Sequence, residues 1–364
     1  MIKIKNIYYM LAYAFRALEK SGYAFTEHEA FDSVPDLFAA ILTLGLNEQI
    51  KRGLYRNYMG HTDLLVSPVG KIYLAESVKK QAIMQKKLIC SFDEFSENTY
   101  LNQILKTTAL LLLRFPSIEA SRKTALKKTL YHFSRVNKID ADKIEWSNIK
   151  YQKNNTAYKM LIYICYLVVE GMLQNDHQGR KKISNYLDDQ RMSALYERFV
   201  FSYCKKHYPD LKPKQQTHIR WNIDEGFDTG SMQFLPIMKS DIMLQDTSKT
   251  LIIDTKYYTK TMQVNFHSNK SMLFSSHLYQ IFSYVKNRDT QGLGNVDGLL
   301  LYAKTDEAMV PDSRFLMGKN EIHAQSLDLN VDFQSICSQL DTLINYFFPF
   351  ALKRTLGFNH EVQF

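Results

Sequence analysis

Apolar and polar positions fall into short blocks along the chain, and the blocks predict an α+β protein. Ile242, Met243 and Leu244 form one apolar run and Leu251, Ile252 and Ile253 another, with polar residues 245–250 between them as a hairpin connection. The second run reads as a buried strand rather than an edge. Upstream, residues 187–207 have helical periodicity, with Leu195, Phe199, Val200 and Tyr203 on one stripe and Glu197 nearby. Downstream, residues 277–286 read as a helix on which Gln280 and Tyr284 share a face. Residues 296–302 follow as a further buried strand.

The first half of the chain is patterned differently. Residues 2–20 open with a tyrosine-rich helical stripe carried by Ile7, Met10, Leu11 and Ala14, which on its residues alone is a packing helix. Residues 34–49 read as an amphipathic helix. Residues 52–55 and 64–73 are strand-like pieces broken by Gly and Pro. Residues 101–113 and 121–136 are helical, the second carrying Arg122, Lys123, Lys127, Lys128 and Arg135. That run is either a solvated face or a contact for DNA phosphates. Residues 160–173 form a strongly apolar helix, expected at the domain junction, and polar residues 174–182 are the linker. Two domains follow, at 1–180 and 181–364.

Composition adds bounds. An apolar content of 45% and an aromatic content of 13% provide for a substantial core. The net charge of +9 fits a polyanionic partner, and fits a basic enzyme of another kind as well. Cys90, Cys165, Cys204 and Cys337 are dispersed with no C-x-x-C pair, which suits a reducing cytoplasm and not a zinc ribbon. The longest apolar stretch, residues 160–169, is about half of what a bilayer needs, so no membrane span is expected. The opening residues do not read as a signal peptide, and a cytoplasmic protein is expected.

The candidate chemistry sits on the two central runs. Asp254 and Lys256 are two apart on a strand and share one face, and a hairpin would set Asp241 beside them. Two carboxylates and an ammonium at the end of a buried sheet are costly unless they bind something, and a hard divalent cation with a phosphate satisfies all three. The plainer alternative is an edge hairpin whose charges face water.

The order of elements resembles the PD-(D/E)xK nuclease superfamily, in the branch with a Gln-x-x-x-Tyr helix that RecB-like nucleases carry. It comprises a helix with Glu197, strands with Asp241 and Asp254-x-Lys256, a helix with Gln280-x-x-x-Tyr284, and a strand. Asn6-Ile7-Tyr8-Tyr9-Met10-Leu11, the Cys90–Thr99 segment with its following helix, and the Leu195–Phe199, Lys239–Ile242, Ile252–Tyr258 and Leu278–Gln280 motifs occur in the order found in the McrC family of restriction nuclease subunits. The resemblance implies an N-terminal motor-contacting and helical domain followed by a PD-(D/E)xK core, a central mixed sheet flanked by helices. It implies Mg2+-dependent cleavage of DNA carrying modified cytosine, in complex with an McrB-like AAA+ GTPase hexamer that binds the GTP. Asp241, Asp254 and the Thr255 carbonyl would hold Mg2+. Lys256 would orient the attacking water or stabilise phosphoryl charge, and Glu197 would hold a water of the ion's shell or a second ion. Gln280 and Tyr284 would position the lysine or the DNA backbone, with core packing the alternative for Tyr284. One departure is Ser240, where the superfamily's name has proline.

Other chemistries find no support. No G-x-x-x-x-G-K-[ST] loop is present, so a GTP requirement belongs to a partner chain. His61, His132, His207, His218 and His267 are scattered singly. A non-catalytic adaptor binding DNA and motor, and a stand-alone repair nuclease, remain the competing classes. Cutting both strands would call for two nuclease subunits.

Overall fold

The computed structural model describes residues 2–15, 31, 33–152, 155, 157–177, 189–223, 229–258, 260–264, 270–304, 307 and 309–354. The chain forms two compact units, one of Met1–Ser21 with Leu187–Phe364 and the other of Gly22–Tyr186. The opening helix α1 (Ile4–Ala14) therefore belongs with the C-terminal half, whereas its sequence position grouped it with the N-terminal module. Its polar groups explain the placement. Asn6 Nδ2 donates to the carbonyls of Leu329 and Val331 at 2.7 and 2.8 Å, and the Tyr13 hydroxyl lies 2.9 Å from His207 Nε2.

The 22–186 unit starts with α2 (Val34–Arg52), whose first turn is capped by Ser33 Oγ accepting from the Asp36 amide. The amphipathic reading of this helix is corrected. Leu37, Phe38, Ala39, Ala40, Ile41 and Leu42 are consecutive and all buried, so the helix is covered on most sides. The strand-like reading of residues 52–55 also fails, because α2 continues to Arg52 and Gly53, at φ +85°, ends it. A three-stranded antiparallel sheet follows, made of β1 (Asn57–Leu65), β2 (Lys71–Ile72) and β3 (Leu88–Ser96) in the order β1-β3-β2. The short α3 (Leu74–Lys79) lies between β2 and β3. Then come α4 (Tyr100–Leu112), α5 (Ala120–Leu130) and α6 (Tyr158–His177). Helix α5 stops at Leu130, earlier than its basic run suggested. Arg122 is tied to Asp36 at 2.6 Å and to Glu119 at 3.0 Å, leaving Lys127 and Lys128 as exposed charges of that run. The apolar α6 packs against α4 and α2 inside this unit, and residues 178–182 of the expected linker lie outside the described residues.

The other unit continues with α7 (Asp189–His207) and β4 (Lys214–Ile219). Then come the paired strands β5 (Met238–Gln245) and β6 (Thr250–Lys256), and the small hairpin β7 (Gln263–Val264) and β8 (Ser271–Met272). Helix α8 (Ser275–Arg288), strands β9 (Val296–Ala303), β10 (Asp312–Met317) and β11 (Asn320–Leu327), and helix α9 (Phe333–Phe347) complete it. Six strands form one mixed sheet in the order β10-β11-β9-β6-β5-β4. β6 runs parallel to β9 and β9 to β11, and the outer pairs are antiparallel. β6 and β9 are buried along their whole length, as the continuous apolar runs of central parallel strands require. Helix α8 makes the β6-to-β9 crossover and packs Ile281, Tyr284 and Val285 onto Met243, Ile252 and Leu300. It comes this close because position 298 is glycine, where a Cβ would stand 2.7 Å from Ile281 Cγ1. α7 lies against β5 and β6, α1 against α7, and α9 against β11, so helices flank the mixed sheet.

Candidate active site

The β5–β6 ladder brings the two aspartates together. It pairs Gln245 with Thr250 and ends on Ile242 with Ile253, so Asp241 and Asp254 are the next residues along the two strands. Met243 and Ile252 pair with each other and pack under α8. Two residues further on, the side chains return to that face, which places Asp241, Asp254 and then Lys256 on the side of the sheet that α8 covers. Asp241 closes the ladder with its side chain, its Oδ2 accepting from Thr255 N and Thr255 Oγ1, both at 2.8 Å.

Asp254 is 2% exposed and Lys256 7%, so both charges are inside the protein. Lys256 Nζ stands 2.5 Å from Asp254 Oδ2, yet no donor is aligned on that oxygen as a hydrogen bond. The contact is thus close but poorly directed. Burial pushes the Asp254 carboxyl up to about 6; Lys256 opposes the shift, and the charges of Asp241 and Glu197 add to it. Lys256 Nζ also donates to Gln280 Oε1 at 2.8 Å, and Gln280 Nε2 donates to the Tyr284 hydroxyl at 2.9 Å. Tyr284 therefore meets both of its alternatives, its ring lying in the core and its oxygen ending a relay from the lysine.

Glu197 reaches the same neighbourhood from α7. Its Oε1 accepts from Gln215 Nε2 at 3.0 Å and from Gln216 Nε2 at 2.6 Å. Burial and the charge of Asp241 raise its pKa, while the two amides and Lys239 lower it. Ser240, in place of proline, is fully buried, its hydroxyl 3.4 Å from the Thr217 carbonyl.

All of the sequence-predicted residues are thus gathered at one end of β5 and β6, and the structure adds others. Gln215 and Gln216 sit in a polar strand, Lys-Gln-Gln-Thr-His, with no pattern to mark them. His277 lies beside Lys256. Burial first, then the lysine's charge, hold its imidazole down to about 4. Its Nδ1 is 3.0 Å from the Tyr302 hydroxyl, and its ring stacks on Tyr258 at 5.2 Å between centroids. Tyr302 is the register partner of Lys256, a relation visible only once β6 and β9 are paired.

The donor set can be tested for an ion. Three carboxylates feel one another's charge across a site with one buried ammonium, and a buried oxygen of Asp254 has no aligned donor. Among the described residues no three Asp, Glu, His or Cys side chains converge into a closed cage. A hard ion that takes one or two carboxylates and completes its shell with water fits such an arrangement, and that is the habit of Mg2+.

Comparison with known proteins bears on the whole chain. An Escherichia coli (strain K12) protein, type IV methyl-directed restriction enzyme EcoKMcrBC, is 24% identical over 310 residues, spanning 85% of this chain and 88% of its own. A solved half-complex from a tetradecameric assembly of Thermococcus gammatolerans McrB AAA+ hexamers with bound McrC aligns with 93% of this chain and 76% of the other, at 14% identity and a TM-score of 0.47. The Thermococcus gammatolerans McrBC complex aligns with 50% of this chain and 60% of the other, at 14% identity and a TM-score of 0.37. Residues 4–303 match the family model for the McrBC 5-methylcytosine restriction system component, and the chain belongs to that family.

Proposed function

We propose that this chain is the endonuclease subunit of a GTP-dependent restriction complex that cuts DNA carrying modified cytosine. The observation that carries the reading is the convergence of Asp241, Asp254 and Lys256 on one buried face, with Gln280 and Tyr284 tied to the lysine. A structural ion pair has no use for two further carboxylates at its side, and their mutual repulsion is a standing cost that a cation and a phosphate offset.

Asp241, Asp254 and the Thr255 carbonyl are the residues that would hold Mg2+, with Glu197 serving a water of its shell or a second ion. Mg2+ bound there supplies charge stabilisation at the phosphate and lowers the pKa of water. Asp241 keeps its orientation through its two bonds to Thr255, which also fix the carbonyl-bearing peptide of that residue. Lys256 is held by Gln280 so that its ammonium faces the place where charge gathers on the phosphoryl oxygens, or orients the attacking water. Burial of the site leaves these charges unscreened by bulk water.

The partner reading follows from family membership. The chain works with an McrB-like AAA+ GTPase hexamer that binds the GTP, and the 22–186 unit supplies the contact. Its three-stranded sheet supports this, for β1 is exposed along nearly all of its length. Tyr58 is 67% exposed and Phe95 55%, an apolar surface that a free-standing sheet would not retain. Among the described residues no helix is long and apolar enough to cross a membrane, and the described cysteines are unpaired. A cytoplasmic site of action suits both. Cutting both strands of a duplex requires two such sites, hence two nuclease subunits at the moment of cleavage.

The test is reconstitution of the chain with its partner GTPase on methylated and unmethylated duplexes. Cleavage that requires this chain, GTP and Mg2+ together, and that stops on chelation, is the expected result. Cleavage that persists without the chain, or without divalent metal, contradicts the reading.

A further inference from the structure

Gln216 stands opposite Asp241 at the edge of the sheet, and its backbone is unusual. Gln215 pairs with Ile242 and Thr217 with Ser240, so the β4–β5 ladder is kept on both sides and skips only this step. There Gln216 has φ +54°, a left-handed conformation uncommon for a residue with a side chain. Consecutive side chains of a regular strand point to opposite faces. Here both amides reach one atom, with Gln215 Nε2 at 3.0 Å and Gln216 Nε2 at 2.6 Å from Glu197 Oε1. The left-handed step turns two neighbours to the same side, as bulges re-aim strands beside functional sites. A turn needed only for the backbone would be served better by glycine or asparagine.

We propose that Gln215 and Gln216 are a positioning pair that pins Glu197 by one oxygen and leaves the other to serve a divalent cation held at Asp241 and Asp254. No described donor meets Glu197 Oε2. The inference rests on the metal-site reading given above and goes further by assigning two residues whose work is done through Glu197. Their loss weakens cation affinity and leaves the fold and the grip on DNA unchanged.

The experiment uses the full chain and two substitutions, Gln216→Gly and Gln216→Asn, with Asp254→Ala as the reference. Glycine accepts the backbone conformation without strain and has no amide. Asparagine tolerates it too, with its amide one methylene short. Mg2+ binding is measured by calorimetry on the chain alone, and cleavage is measured against Mg2+ concentration with the partner GTPase present. Both variants are expected to melt at or above the wild-type temperature, to bind Mg2+ about tenfold more weakly, and to recover cleavage as Mg2+ is raised. Wild-type Mg2+ affinity and wild-type cleavage in both variants, with Asp254→Ala inert, would make the pair merely structural and overturn the proposal while leaving the metal site standing. Unchanged Mg2+ binding and cleavage in Asp254→Ala would instead remove the metal site, and the role of the pair with it.

Discussion

Gln280 Oε1 accepts a hydrogen bond from Lys256 Nζ at 2.8 Å, which joins the end of β6 to the helix that covers it. A buried ammonium needs acceptors, and one of its two is the carboxylate of Asp254. Gln280→Ala withdraws the other. A hydrogen bond to a charged group contributes about 1.5–3 kcal/mol, so single-turnover cleavage should slow about 10- to 100-fold with DNA affinity unchanged. Tyr284→Phe keeps the core ring and deletes the end of the relay, and should cost about tenfold or less. Equal loss of DNA affinity in both variants would show that they act on binding and not on the lysine.

Asp241→Asn separates charge from hydrogen bonding. An asparagine oxygen can still accept from Thr255 N and Oγ1, so the ladder end and the melting temperature should hold. With one negative charge gone, the Mg2+ concentration for half-maximal cleavage should rise by at least about tenfold. A Mg2+ titration of the cleavage rate reads this directly.

The exposed face of the three-stranded sheet carries its own prediction. Tyr58 and Phe95 are register partners across β1 and β3, with ring centroids 5.1 Å apart. Both rings are more than half exposed, so Tyr58→Ser with Phe95→Ser should leave the melt within about 1 kcal/mol of wild type. The double variant should lose stimulation of the partner's GTPase. Undiminished stimulation would remove this face from the interface.

His277 gives a pH dependence. Its folded pKa is held near 4 by burial and by Lys256, below the model value of 6.5 expected when the chain is unfolded. Between those values the unfolded chain binds the extra proton, so stability is complete above about pH 6.5 and is lost as the pH falls toward 4. His277→Gln should flatten the acid side of the stability curve and leave its slope above pH 7 unchanged, as denaturant melts across that range will show. An unaltered acid slope would mean that another group sets it.

The parts of this site that could be read from the sequence are those that depend on period. Asp254 and Lys256 are two apart on an apolar run, and Gln280 and Tyr284 are four apart on a helical one, so each pair shares a face in any fold that keeps the element. The association of Asp241 with Asp254 needed only a hairpin with a short polar connection, which Asp246 closes by accepting from the amides of Ser248 and Lys249. What stayed hidden depends on conformation or on distance along the chain. The convergence of Gln215 and Gln216 requires a positive φ that no glycine announces. Packing of α1 on α7 requires Tyr13 to find His207, 194 residues away. Helix α2 is lined with alanine and leucine around its circumference, so its burial on most sides does not appear as a stripe.

The most direct measurement is strand cleavage by the reconstituted complex carrying Asp254→Ala. With the partner GTPase, GTP, Mg2+ and methylated duplex present, the account predicts no cuts, a chain that still folds, and GTP hydrolysis still stimulated. Cleavage at the wild-type rate by that variant would contradict it.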